Sequence, residues 1–248
     1  MPIRDVFSGY DKIMELSSEK KHIPLTRIQK LINKRMLESK RTKPCFYLES
    51  DADVTEMMGR RSKLKKSLGV RITSNAFLIR AMAQAVKEYP LMLGRLQGRL
   101  DDKEVVIQIA DQINVGFAVN APQGLVVPVI KQADVKSLAE IATLEQQLIE
   151  KSRSNNLSLQ DIEGETIALS NLGAYGIDSF VAIIPPQTSA VLAVGNVIKS
   201  IVVREGKPAA RKMMSLTLAA DAKIINGPYG ARFLSCVVQY LENPEQLI

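Results

Sequence analysis

At 248 residues with 46% hydrophobic side chains, the chain can bury a sizeable core and is most simply one large domain. Its net charge of +7 raises nucleic-acid binding, yet the basic residues alternate with acids and do not interleave with aromatic rings, so no nucleic-acid partner is expected. No run of 18 apolar residues lacks a breaker and no signal-like N-terminus is present, so no membrane span is expected, and a cytoplasmic setting, or a mitochondrial matrix in a eukaryote, follows.

Residues 1–21 are polar and read as an arm or linker remnant ahead of a core domain at 22–248. Thr26 is a good N-cap for a first helix with Ile28, Leu31, Ile32, Arg35 and Met36 on one face, stopped by Pro44. Residues 45–54 alternate as a half-buried strand does. Asp53 and Glu56 suggest a capping box for a helix carrying Met57, Leu64 and Leu68 and closed by Gly69, with Arg60, Lys63, Lys65 and Lys66 on a solvated face. A third helix runs from about Ser74 to Pro90, with Leu78, Met82, Ala85, Val86 and Tyr89 as core filling. Strand signals occupy 104–131, and Ser137 with Glu140 caps a fourth helix bearing Leu138, Ile141, Leu148 and Ile149. "IALS" and "MMSLTLAA" read as strands, and 179–198, cut by Pro185, Pro186 and Gln187, as two buried strands joined by a turn. A last helix from about Pro228 packs Phe233, Leu234, Val237, Val238 and Leu241 inward and ends at Asn243-Pro244. This order predicts an α+β sandwich on a mixed or largely antiparallel sheet.

The residues support little obvious chemistry. One histidine, His22, and two separated cysteines, Cys45 and Cys236, do not form a tetrahedral metal site, and both cysteines read as free thiols. No phosphate-cradling glycine loop is present. The turn "DAKIING" (221–227), between the last strand and the last helix, offers Asp221, Ala222, Lys223, Asn226 and Gly227.

Segments in unbroken order then become recognisable: "IPLTRIQKLINKRMLESKRTKPCFYLESDADVTEM", "NVGFAVNAPQGLVVPVIKQAD", "IALSNLGAYGIDSF", "IIPPQTSAVLAVG" and "LENPEQLI". Over residues 22–248 the chain resembles the catalytic core domain of the dihydrolipoamide acyltransferases of 2-oxoacid dehydrogenase complexes. The resemblance implies a chloramphenicol-acetyltransferase-like fold, trimers that assemble into cages, and a channel between subunits for coenzyme A and a lipoyl group. It also implies a signature, DHRxxDG, whose histidine is the general base for thiol attack on a thioester, because only the thiolate is a good nucleophile. A serine of the neighbouring subunit stabilises the oxyanion, and the matching residue is Ser170 in "LSNLG".

Against that signature, Asp221 and Gly227 are kept, Lys223 replaces arginine, Ala222 stands at the histidine and Asn226 at the second aspartate. Cys45 stands where many relatives carry histidine, and Leu93 where they carry asparagine. The expected function is therefore a non-catalytic structural or regulatory homologue, similar to the class called protein X. Partners would be a homotrimer or cage, possible admixture of a catalytic paralogue, and visiting lipoyl domains. With about 20 residues ahead of the core, neither a lipoyl nor a peripheral-subunit-binding domain is expected within this sequence. Two alternatives remain open: an acyltransferase using Lys223, Asp221 or Cys45 or an already ionised thiol, and a protein that binds coenzyme A or an acyl thioester without covalent attachment.

Overall fold

The computed structural model describes residues 22, 24, 25, 27–98, 101–122 and 124–248. The arm at 1–21, the Thr26 cap and the Ile28 side chain lie outside them. Helix α1 (Arg27–Thr42) leads into β1 (Cys45–Asp53), α2 (Thr55–Leu68) and α3 (Ser74–Glu88). Six short strands follow: β2 (Gly94–Gln97), β3 (Val106–Ile109), β4 (Val115–Phe117), β5 (Val119–Ala121), β6 (Gly124–Val126) and β7 (Val129–Ile130). Then come α4 (Leu138–Arg153), the single turn α5 (Leu159–Ile162), β8 (Ile167–Asn171), β9 (Ala190–Arg204), β10 (Lys207–Asp221) and α6 (Gly227–Glu242).

The main sheet has the order β1-β10-β9-β8-β4-β7. β1, β10 and β9 are antiparallel, β9, β8 and β4 are parallel, and β7 returns antiparallel to β4. β2–β3 and β5–β6 form separate two-stranded ribbons. This is the α+β sandwich on a mixed sheet that the element order predicts.

Strand alternation sorts side chains between two unlike faces. Leu169, Leu192, Val194, Leu216, Leu218 and Ala220 point into the large core with Phe77 and Met82 of α3 and Phe233 and Val237 of α6. The opposite face holds a small cluster of Ala168, Val191 and Ala219, covered by Ile184 with Cys45 and Ala182 at its margin. Tyr89 ties α3 to α6 by edge-on contacts with Tyr229 (centroids 5.4 Å apart) and Phe233 (6.2 Å).

The local start signals have mixed outcomes. Ser137 and Glu140 form the expected capping box, and Gly69 closes α2 at φ 69°. The Asp53–Glu56 box does not form, because the cap position falls on Val54 and Asp53 is committed elsewhere. Its carboxylate accepts from the Thr55 amide (3.1 Å) and pairs with Arg204 (3.0 Å) and Arg211 (3.5 Å). These partners hold its carboxyl below the usual range despite burial. Met57 is buried, but Leu68 is exposed, as are Leu31 and Leu37 of α1.

The largest correction concerns 179–198. Only Ala190–Arg204 is strand, while 178–185 runs without regular pairing. Pro185 and Pro186 have no amide to give a ladder, so this stretch lies over the small face, with Ile184 buried and Val181 and Ile183 exposed. β9 turns into β10 through Glu205 (φ 51°) and Gly206 (φ 75°), the doubly positive pair that a two-residue hairpin needs.

Candidate functional site

The "DAKIING" turn is built entirely from backbone and short side chains. Asp221 closes β10 opposite Cys45, and its amide donates to the Ser189 carbonyl at 2.9 Å. The Asp221 carbonyl accepts from the amides of Ile224 (3.0 Å) and Ile225 (2.9 Å), and Oδ1 accepts from the Lys223 amide (3.1 Å). The Ala222 amide donates to the Pro44 carbonyl at 2.9 Å. Asn226 then caps α6, its Oδ1 accepting from the Tyr229 amide at 2.9 Å. None of these contacts uses the Ala222 side chain, which is exposed, whereas Asp221 and Ile225 are buried.

Around the turn stand groups able to bind or exchange a proton. The Lys223 ammonium donates to the Thr42 carbonyl at 2.7 Å and lies 3.8 Å from Asp221. Cys45 is half-buried, and burial and then the Asp221 charge push its thiol upward. Lys43 carries no prominent sequence signal, sitting in a turn of basic residues before Pro44. Its ammonium donates to the carbonyls of Pro185 (2.9 Å), Pro186 (3.0 Å) and Thr188. Burial pulls it down to about 8, opposed by Asp221 and reinforced by Lys223. Ser39 Oγ adds a bond to the Ile184 carbonyl at 2.5 Å, and Arg95 reaches Gln187 at 3.3 Å, so this loop is tied from several elements.

Ser170 is half-buried on β8, on the small face that also carries Asp221. It pairs with Ala193 of β9, which pairs with Thr217 of β10, four residues before Asp221. Two strand spacings and four residues of rise separate Ser170 from Asp221 by ~16 Å. One chain therefore does not bring Ser170 and Ala222 together. His22 is exposed, and Leu93 is buried in the large core.

The chain leaves Ser170 through Asn171 and packs tightly on β9. A Cβ on Gly173 would come within 2.4 Å of the Gly195 carbonyl oxygen, and one on Gly195 within 1.7 Å of the Asp178 oxygen. Both glycines are required by this close approach. The register of β9 against β10 shifts at the same place, with Val197 opposite Met214 and Val194 opposite Leu216. Among the described residues no group of three or more His, Cys, Asp or Glu could hold a metal ion, and no helix is long and apolar enough to cross a membrane.

Comparison with known proteins gives the family. The model of the 2-oxoacid dehydrogenases acyltransferase (catalytic domain) matches residues 17–248. The dihydrolipoyllysine-residue acetyltransferase component of the pyruvate dehydrogenase complex of Rickettsia felis is 32% identical over 244 residues, covering 96% of this chain. The chain spans 58% of that relative's length. Azotobacter vinelandii dihydrolipoamide acetyltransferase, studied for the role of a serine, a histidine and an asparagine in its catalytic mechanism, superimposes with TM-score 0.85 at 29% identity, over 94% of this chain and 96% of that one. The cubic core of the pyruvate dehydrogenase multienzyme complex matches equally, with TM-score 0.85, 29% identity and the same coverage. With the sequence and the fold in agreement over nearly its whole length, the chain belongs to the catalytic-domain family of the 2-oxoacid dehydrogenase acyltransferases.

Proposed function

We propose that this chain is a structural or regulatory member of an acyltransferase core that does not itself carry acyl groups between dihydrolipoyl and coenzyme A thiols. The observation that carries this reading is Ala222. In the Azotobacter enzyme the serine and histidine studied for catalysis lie 52 residues apart, and the asparagine follows four residues later. Ser170, Ala222 and Asn226 repeat both intervals. Asn226 is thus not a departure from that enzyme, and of these three positions only residue 222 differs, where a methyl group has no lone pair to accept a proton.

The neighbouring groups are poor replacements. Lys223 and Lys43 hold their ammonium protons against backbone carbonyls, and Asp221 faces its own turn. The Cys45 thiol is pushed away from ionisation. These contacts weigh against the reading of an active enzyme with an unusual base.

The ~16 Å gap between Ser170 and Asp221 supports a site shared between subunits, since oxyanion stabilisation and proton transfer act within hydrogen-bond reach. A homotrimer or cage of this chain would have every such site without a base. In a mixed assembly, Ser170 would face the histidine of a catalytic paralogue. Coenzyme A remains the expected ligand of such a channel, and the cytoplasm or mitochondrial matrix the expected location.

The test is acetyl transfer between acetyl-CoA and dihydrolipoamide by the purified oligomer. No turnover above buffer is expected. Clear turnover lost on changing Lys223 or Cys45 would replace this reading with the unusual-base enzyme, and calorimetric binding of coenzyme A without turnover would favour a thioester-binding protein.

A further inference from the structure

A series of polar side chains leads from the buried Glu145 to the segment that follows Ser170. Glu145, on α4, is 1% exposed, packed among the helices and far in sequence from β8. Thr73 Oγ1, at the N-cap of α3, donates to Glu145 Oε2, and the Asn75 side-chain amide faces the same carboxylate and helps to lower it. Asn75 Oδ1 accepts from Asn171 Nδ2 at 2.7 Å, and Asn171 Oδ1 accepts from the Gly173 amide at 2.9 Å. These bonds run in one direction, from the Gly173 N–H through two side-chain amides to a negative charge, an order in which each bond polarises the next.

We infer that Glu145 is a positioning residue for Ser170, acting through Asn75 and Asn171 to fix the turn by which the chain leaves β8. This rests on the reading of Ser170 as the oxyanion-stabilising residue.

The bonds tie α3 to α4 and to the end of β8, and the charge at their end has a cost. Burial raises the Glu145 carboxyl, with Thr73 and Asn75 and the more distant Arg61 and Arg71 only partly opposing it. A carboxyl raised in the folded protein loses stability as pH climbs through its folded value, so its charged form is held at a cost. What the charge does provide is an acceptor-only end. A carboxylate accepts from both Thr73 and Asn75, whereas a glutamine amide would face one of those donors with a donor of its own. The ordered side chain is Asn171, the immediate neighbour of Ser170, and Gly173 is the residue that must pass within van der Waals limits of Gly195. A small loss of order here would move the Ser170 hydroxyl relative to any substrate in the channel.

The test uses Glu145→Gln, which keeps the shape and removes the charge, with Asn171→Ala as a second break in the same chain and Glu150→Gln on the exposed side of α4 as control. Amide hydrogen exchange of the peptide spanning 167–176 should quicken about tenfold in the first two variants and not in the control, the effect of losing roughly one hydrogen bond. In an Ala222→His background, Glu145→Gln should lower kcat with KM for both substrates unchanged. Unaltered exchange overturns the proposal, and so does loosened exchange with an unaltered kcat. Absence of transfer in a well-folded Ala222→His oligomer would refute the proposed shared site, and with it the catalytic part of the inference, while the exchange result still decides whether Glu145 orders the segment.

Discussion

On the proposed reading, Ala222→His should create acyl transfer that the natural chain lacks. The substitution is tolerable because every bond that shapes the turn is made by backbone or by Asp221 and Asn226, and residue 222 is exposed. An exposed change away from such contacts alters stability by only about 0.5 kcal/mol. A positioned general base contributes about 10²–10⁴-fold. Near residue 222, Lys43 and Lys223 disfavour an imidazolium while Asp221 alone favours it, so the new imidazole should be neutral at pH 7 but a weakened base. A gain at the lower end, about 10²-fold over an Ala222→Gln control, is therefore expected. The assay is acetyl transfer from acetyl-CoA to dihydrolipoamide, measured against pH on oligomer confirmed by light scattering, with the rate rising through the imidazole titration. A well-folded oligomer gaining less than about threefold would refute the reasoning, because the loss of one base would then not account for inactivity.

Three further outcomes test the framework around the site. Lys43 is held to about 8 when folded, against ~10.4 in an unfolded chain, so the folded state binds fewer protons between those values and stability should rise with pH there. Lys43→Met should flatten that rise in Tm-against-pH curves, and an unchanged slope would mean its charge is not buried. Gly195→Ala drives a Cβ into the Asp178 carbonyl and should cost about 3 kcal/mol in denaturant unfolding; a variant as stable as the parent would show that the 173–178 loop yields. Asn226→Ala removes the α6 cap and should lower stability by about 1 kcal/mol, whereas Asn226→Asp should hold it, since both side chains accept from the Tyr229 amide; equal Tm for all three would deny the cap.

What could be read from the chain alone was whatever is enforced within a few residues. The α3 face of Leu78, Met82, Ala85 and Val86, the Ser137–Glu140 box and the Asn226 cap follow from helical period and cap chemistry, and all are present. The lack of a base at residue 222 is also legible in sequence, since an alanine side chain has no lone pair in any fold. Local signals misled where a distant partner competed: Asp53 was drawn to Arg204, 151 residues away, and the apolar run before Pro185 covers a sheet face it does not pair with. Only tertiary structure decided that Ser170 and Ala222 stand apart across two strand spacings, that Lys43 is captured by carbonyls 142 to 145 residues away, and that Asn75 of α3 meets Asn171 beside Ser170. Such contacts depend on which strands pair and which faces are buried, and long-range packing settles both where periodicity and capping have no reach.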